Sequence, residues 1–283
     1  MTRPEDADTR GSFLRVRGVD LYYEETGGAG EPILFLHGFF FDGRMYEAQV
    51  AALKDRYRCV SVDLRGQGRS GHARGGYQLE QHTADVLSVI RQLGLAPVHL
   101  VGWSMGGFVG LRLAAREPGL LRSLILLDTS ATAQELSKLP KHLIVTGLIR
   151  LLGASPSFVL NGIETEMYSE GFRTDPGRAG EREVWRRRWA AADRSCLAKT
   201  SLALMIRPDI RDELAGVDVP TLIVTGLEDA AMPAEPSREL HSLIAGSRLV
   251  ELQGVGHSSP VEDPNGVTEA LERFLGEVTS SSQ

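Results

Sequence analysis

Apolar residues alternate between two patterns along this chain. Short, largely apolar runs occur at Ile33-Leu34-Phe35-Leu36, Cys59-Val60-Ser61-Val62, Val98-His99-Leu100-Val101, Leu124-Ile125-Leu126-Leu127 and Thr221-Leu222-Ile223-Val224, and a more mixed one at Arg248-Leu249-Val250-Glu251-Leu252. They are too short for helices, and most predict strands covered on both faces. Between them, over residues 44–53, 79–93 and 107–116, apolar positions recur at helical spacing. Ahead of the series, residues 13–17 and 19–24 read as a hairpin turning at Gly18. Strands alternating with helices in this way imply a parallel sheet with right-handed crossovers.

The rhythm breaks between residues 130 and 213. No run there reads as a buried strand, and helical spacing covers 141–152, 156–170, 181–193 and 197–205. The strand pattern returns at 221–225 and 248–252, followed by helices at 236–245 and 264–275. The expected architecture is α/β: a mostly parallel eight-stranded sheet flanked by helices. Its core is residues 1–129 and 214–283, with residues 130–213 inserted as a helical cap.

Composition narrows the function. With 283 residues, 42% hydrophobic and 24% charged, the chain suits one soluble domain with an insert. A net charge of −6 supplies no positive field for nucleic acid. No apolar run approaches the roughly 20 residues that span a bilayer. The polar, acidic start shows no secretory signal, so a cytoplasmic protein is expected. Both ends read as short polar tails. Cys59, Cys196 and the seven histidines show no ligand spacing, so neither metal nor cofactor is expected.

Candidate chemistry centres on Gly102-Trp103-Ser104-Met105-Gly106, a G-x-S-x-G sequence between a strand and a helix. A serine in that turn is presented at the helix N-terminus, with its free N–H groups and positive dipole end. The hydroxyl needs a base, and the base needs an acid to fix its tautomer. His257, in the glycine-rich loop after the last strand, is the candidate base. Asp229 is the first candidate acid, with Asp128 second and Glu228 third. Both aspartates follow strand ends, where open α/β sheets place their sites. The Met105 and Phe39 backbone N–H groups are the candidate oxyanion donors, with His37 bracing the Phe39 loop. Phe40, Trp103, Trp185 and Met232 are candidate pocket residues, while Phe41 is expected in the core. Trp185 and Trp189 share a helix face, which also suits core packing. Arg186-Arg187-Arg188 reads as a solvated face, with pairing to a substrate carboxylate as the second reading.

Taken together, His37-Gly38, Asp63-Leu64-Arg65-Gly66-Gln67-Gly68-Arg69-Ser70, the Gly102–Gly106 turn, Gly226-x-x-Asp229 and Gly256-His257 resemble the α/β-hydrolase family across residues 13–276. Within it the chain looks like the capped esterase, enol-lactonase and cofactor-free haloperoxidase group. Related dehalogenases and epoxide hydrolases carry aspartate where this chain has Ser104. One departure is Phe40, where many relatives carry a proline associated with perhydrolase-like geometry. The resemblance implies a cofactor-independent serine hydrolase cleaving a small or medium ester or lactone through an acyl-enzyme. The same three residues would also serve a C–C hydrolase of a β-diketone. A non-catalytic binding protein would be marked by loss of one of them, and all three are present.

Overall fold

The computed structural model describes residues 10–281. Its strands are β1 (Arg10–Val16), β2 (Val19–Glu25), β3 (Pro32–Leu36), β4 (Arg58–Val62), β5 (Val98–Trp103), β6 (Leu121–Leu127), β7 (Thr221–Gly226) and β8 (Arg248–Leu252). They form one eight-stranded sheet in the order β1-β2-β4-β3-β5-β6-β7-β8. β1 and β2 form the antiparallel hairpin, β2 meets β4 antiparallel, and every other pairing is parallel. β3, β5, β6, β7 and β8 therefore all deliver the residues that follow them to one edge of the sheet.

The continuous apolar runs divide by alternation. Leu34, Leu36, Leu100, Leu124 and Leu126 enter one core. Ile33, Phe35, Val101, Trp103, Ile125 and Leu127 enter the other. The side-chain period of two makes each run serve both faces. Helices α2 (Leu79–Gln92), α3 (Met105–Arg116) and α9 (Ala234–Leu243) contribute to the first core. The second core takes Leu53 from α1 (Glu47–Leu53) and Leu271 and Leu275 from α11 (Pro264–Ser281).

Between β6 and β7 lie α4 (Leu139–Leu152), α5 (Ser157–Met167), α6 (Glu170–Thr174), α7 (Ala179–Ala191) and α8 (Arg194–Met205). The spacing missed α6. The expected 156–170 helix stops at Met167 because Ser169 starts a new one, its Oγ accepting from Phe172 N at 3.2 Å. The expected 44–53 helix begins as a 3₁₀ turn, Gly43–Tyr46, capped by Asp42. A four-residue helix, α10 (Ser259–Glu262), follows the last strand.

At the C-terminus, helix runs through Thr279 and Ser280, where a tail was expected. Leu271, Phe274, Leu275 and Val278 keep the apolar period going, and Thr279 and Ser280 bond back to Leu275 and Gly276 carbonyls. The expected N-terminal tail, and the last two residues, lie outside the described residues. Among the described residues no helix is long and apolar enough to cross a membrane.

Candidate active site

Ser104 sits between the last residue of β5 and the first of α3, with φ +48° and ψ −110°. A non-glycine residue there carries backbone strain of roughly 1–3 kcal/mol. The surroundings fix it: Ser104 N donates to Leu127 O at 2.9 Å, and Thr129 Oγ1 donates to Ser104 O at 2.8 Å. The glycines around it give clearance. A Cβ on Gly106 would lie 2.2 Å from Leu36 O, and one on Gly38 would lie 2.6 Å from the Trp103 ring and 2.9 Å from Ser104 Cβ.

The loop after β8 brings His257 to this turn. His257 Nε2 lies 3.0 Å from Ser104 Oγ, and Nδ1 lies 2.6 Å from Asp229 Oδ2. Asp229 comes from the loop after β7, and its Oδ1 accepts from Met232 N at 2.7 Å. All three side chains are buried. Burial opposes the charged imidazole, but the Asp229 charge and hydrogen bond outweigh it, and the His257 pKa stands above the ordinary histidine value.

Asp128 ends in a different environment. Its Oδ1 accepts from Gly226 N at 2.9 Å, and its Oδ2 accepts from Ser259 Oγ at 2.5 Å. Burial, and then the neighbouring Asp229 charge, push its pKa up to about 8. Glu228 is exposed.

Two groups hold the His257 loop. Trp103 Nε1 donates to His257 O at 2.6 Å. The buried Glu262 carboxylate accepts from Gly256 N at 3.1 Å, Ser258 N at 3.2 Å and Ser169 N at 2.9 Å. Glu262 thus ties the loop to the segment between β6 and β7. Sequence reading did not single it out, because its role depends on the turn formed by α10.

The Phe39 and Met105 N–H groups have no protein acceptor among the described residues. His37 Nε2 accepts from Leu64 N at 2.8 Å, so its Nδ1 carries the proton donated to Gly38 O at 2.7 Å. Phe40 has φ +69° and donates its N–H to Gln67 Oε1 at 3.1 Å. Proline could do neither, which is a physical reason for the departure at this position.

A cavity of about 450 Å³ opens at Ser104 and His257. Phe39, Phe40 and Met232 line it, together with Ile149, Ile163, Met167 and Met205 from the helices between β6 and β7. Trp103 and Trp185 are not among its lining residues. Both are buried around Phe41, with ring centroids at 4.9 and 4.5 Å, because Trp103 points to the core side of β5 and Trp185 to the packed side of α7. The arginine triplet also lies outside the lining: Arg186 pairs with Glu164 at 2.5 Å, and Arg188 stacks on Trp185 at 4.4 Å. The arginine that does line the cavity is Arg207, just after α8, which no motif marks.

His72, Asp193 and Cys196 bring one possible ligand atom each within 4.8 Å of one another, a grouping hidden by their separation in sequence. Asp193 and Cys196 each have another role, and His72 lies 3.9 Å from Asp193. Asp193 caps α8 through Cys196 N at 2.7 Å. The Cys196 thiol, pushed up to about 11 chiefly by burial, lies 3.1 Å from the Tyr77 hydroxyl.

Residues 33–270 match the model of the alpha/beta hydrolase family. The chain is 31% identical over 276 residues to the AB hydrolase superfamily protein YisY of Bacillus subtilis, covering 93% of this chain and 98% of that one. A thermophilic esterase from Thermogutta terrifontis superposes with a TM-score of 0.85 at 30% identity, over 95% of this chain and 99% of that one. The enol-lactonase from Burkholderia xenovorans LB400 superposes with a TM-score of 0.86 at 28% identity, over 94% and 100% respectively. With this fold and these relatives, the chain belongs to the α/β-hydrolase family, in its group of esterases, enol-lactonases and haloperoxidases.

Proposed function

We propose that this chain is a cofactor-independent serine hydrolase of small to medium carboxylic esters or lactones. The observation that carries the reading is the unbroken line from Ser104 Oγ through His257 to Asp229, opening into a largely apolar cavity. Ser104 Oγ attacks the carbonyl carbon while His257 Nε2 takes its proton. Asp229 keeps the Nδ1–H tautomer and stabilises the imidazolium. The oxyanion is received by the Phe39 and Met105 N–H groups, which have no other acceptor among the described residues. Collapse expels the alcohol, protonated by His257, and leaves an acyl-Ser104. Water then attacks the acyl carbon, giving its proton to His257, and the acid departs as Ser104 regains its proton. Residues 130–213 act as the cap that walls the cavity. The relatives named as an esterase and an enol-lactonase support the ester and lactone classes.

Hydrolysis of p-nitrophenyl acetate, butyrate and octanoate in EDTA tests this. Turnover without metal is expected, with butyrate or octanoate preferred over acetate because the cavity wall is mostly apolar. No turnover of any of the three would exclude simple esters.

The pH dependence follows from His257. The base must be neutral, so kcat/KM is expected to fall as pH drops through the raised pKa. The acid limb should therefore lie above the ordinary histidine value of about 6.5. A limb well below that value would mean that Asp229 does not load the imidazole.

A further inference from the structure

Arg207 presents a cation that the reaction above does not use. It lines the same cavity as Ser104, and its guanidinium stacks 4.7 Å from the Phe108 ring centroid. Its protein partners are neutral. Nε donates to Thr132 O at 2.9 Å, and Nη1 donates to Gln134 Oε1 at 2.7 Å and Leu204 O at 3.0 Å. Nη2 has no acceptor among the described residues, and no carboxylate pairs with the group.

The other cavity cations are matched. Lys138 pairs with Glu135 at 2.9 Å, and Lys141 with Glu166 at 2.5 Å. Burial lowers the His142 pKa, which favours its neutral form. Burial, and then the Arg112 charge, pull the Arg207 pKa down to about 10, so it is still cationic at neutral pH. Placing an uncompensated charge in a largely apolar wall is costly unless a counter-charge arrives. A guanidinium with a free N–H edge fits a carboxylate. Phe108 lies one helical turn beyond Ser104, so Arg207 stacks on the wall of the cavity that also holds the serine, set away from it along α3. Half-esters of glutarate or adipate carry a carboxylate several bonds from the reacting carbonyl, as this separation requires.

We propose that Arg207 anchors a carboxylate on the acyl part of the substrate, making the preferred substrates half-esters of dicarboxylic acids or lactones bearing a carboxylate. This deepens the serine-hydrolase reading and rests on it. The test compares mono-p-nitrophenyl adipate with its neutral methyl-capped diester in the wild type, Arg207→Met, Arg207→Lys and Arg186→Leu. The wild type is expected to favour the anion in kcat/KM. That ratio should fall about 10- to 100-fold in Arg207→Met, less in Arg207→Lys, and stay at the wild-type value in Arg186→Leu. A wild-type ratio near unity, or a preference that survives Arg207→Met, overturns the assignment.

Binding separates the two readings. Calorimetry on Ser104→Ala protein with methyl hydrogen adipate and dimethyl adipate requires no turnover. Tighter binding of the anion, lost on adding Arg207→Met, supports the anchor even if neither ester is hydrolysed. Equal binding of the two compounds overturns it.

Discussion

Replacing Ser104 by alanine is expected to lower kcat on a p-nitrophenyl ester by about 10⁴-fold or more, with a much smaller change in KM. On the proposed mechanism the hydroxyl forms the acyl bond, and Ser104 Oγ is the hydrogen-bond partner of His257 Nε2, at 3.0 Å, while Nδ1 is taken by Asp229 at 2.6 Å. The cavity wall and the Phe39 and Met105 N–H groups remain, so substrate affinity should survive better than turnover. A second replacement separates chemistry from folding. Alanine at 104 keeps the unfavourable φ of +48°, whereas glycine tolerates it. Ser104→Gly should be as inactive as Ser104→Ala but melt a few degrees higher. Retained esterase activity in either variant would remove Ser104 from the reaction. Equal melting temperatures would mean that the turn stores no strain.

The sheet was legible in the sequence because a run such as Ile33-Leu34-Phe35-Leu36 is apolar at every position yet too short for a buried helix, which suits a strand covered on both faces. Parallel pairing then puts the residues after β5, β7 and β8 at one edge; the G-x-S-x-G turn nominated Ser104, and position after the later strands nominated Asp229 and His257. Side-chain direction was less legible. Trp103 is next to Ser104 in sequence, yet strand alternation turns it into the core behind His257, and Trp185, on the packed face of α7, is turned toward Phe41. Residues whose environment is assembled from distant segments left no local signal. Arg207 meets Thr132 and Gln134, and Glu262 meets Ser169, only once the segment between β6 and β7 has folded back. Short elements such as α6 depend on one capping serine rather than on a period, and periodicity passes over them.

Exchanging the two buried aspartates for asparagine should give opposite results. Asp229→Asn is expected to cost about 10³- to 10⁴-fold in kcat. An amide next to Nδ1 cannot neutralise the imidazolium. By donating its own N–H, it also favours the tautomer with the proton on Nε2, which then cannot accept from Ser104. Asp128→Asn should cost less than about 10-fold. With its pKa pushed up to about 8, Asp128 is already largely neutral at pH 7, and an amide of the same shape can accept from Gly226 N and donate to Ser259 Oγ, giving up only the long 3.3 Å bond from Ser259 N. Stability gives a second readout. The unfolded carboxyl titrates near 3.9, so between about pH 4 and pH 8 the native state holds a proton that the unfolded state has lost. Wild-type stability should therefore fall through that window relative to Asp128→Asn, with the variant gaining most at pH 9 and least at pH 4. If instead Asp128→Asn abolished turnover while Asp229→Asn spared it, the acid that serves His257 would be Asp128, and the 2.6 Å contact to Asp229 would not be the one that matters in catalysis.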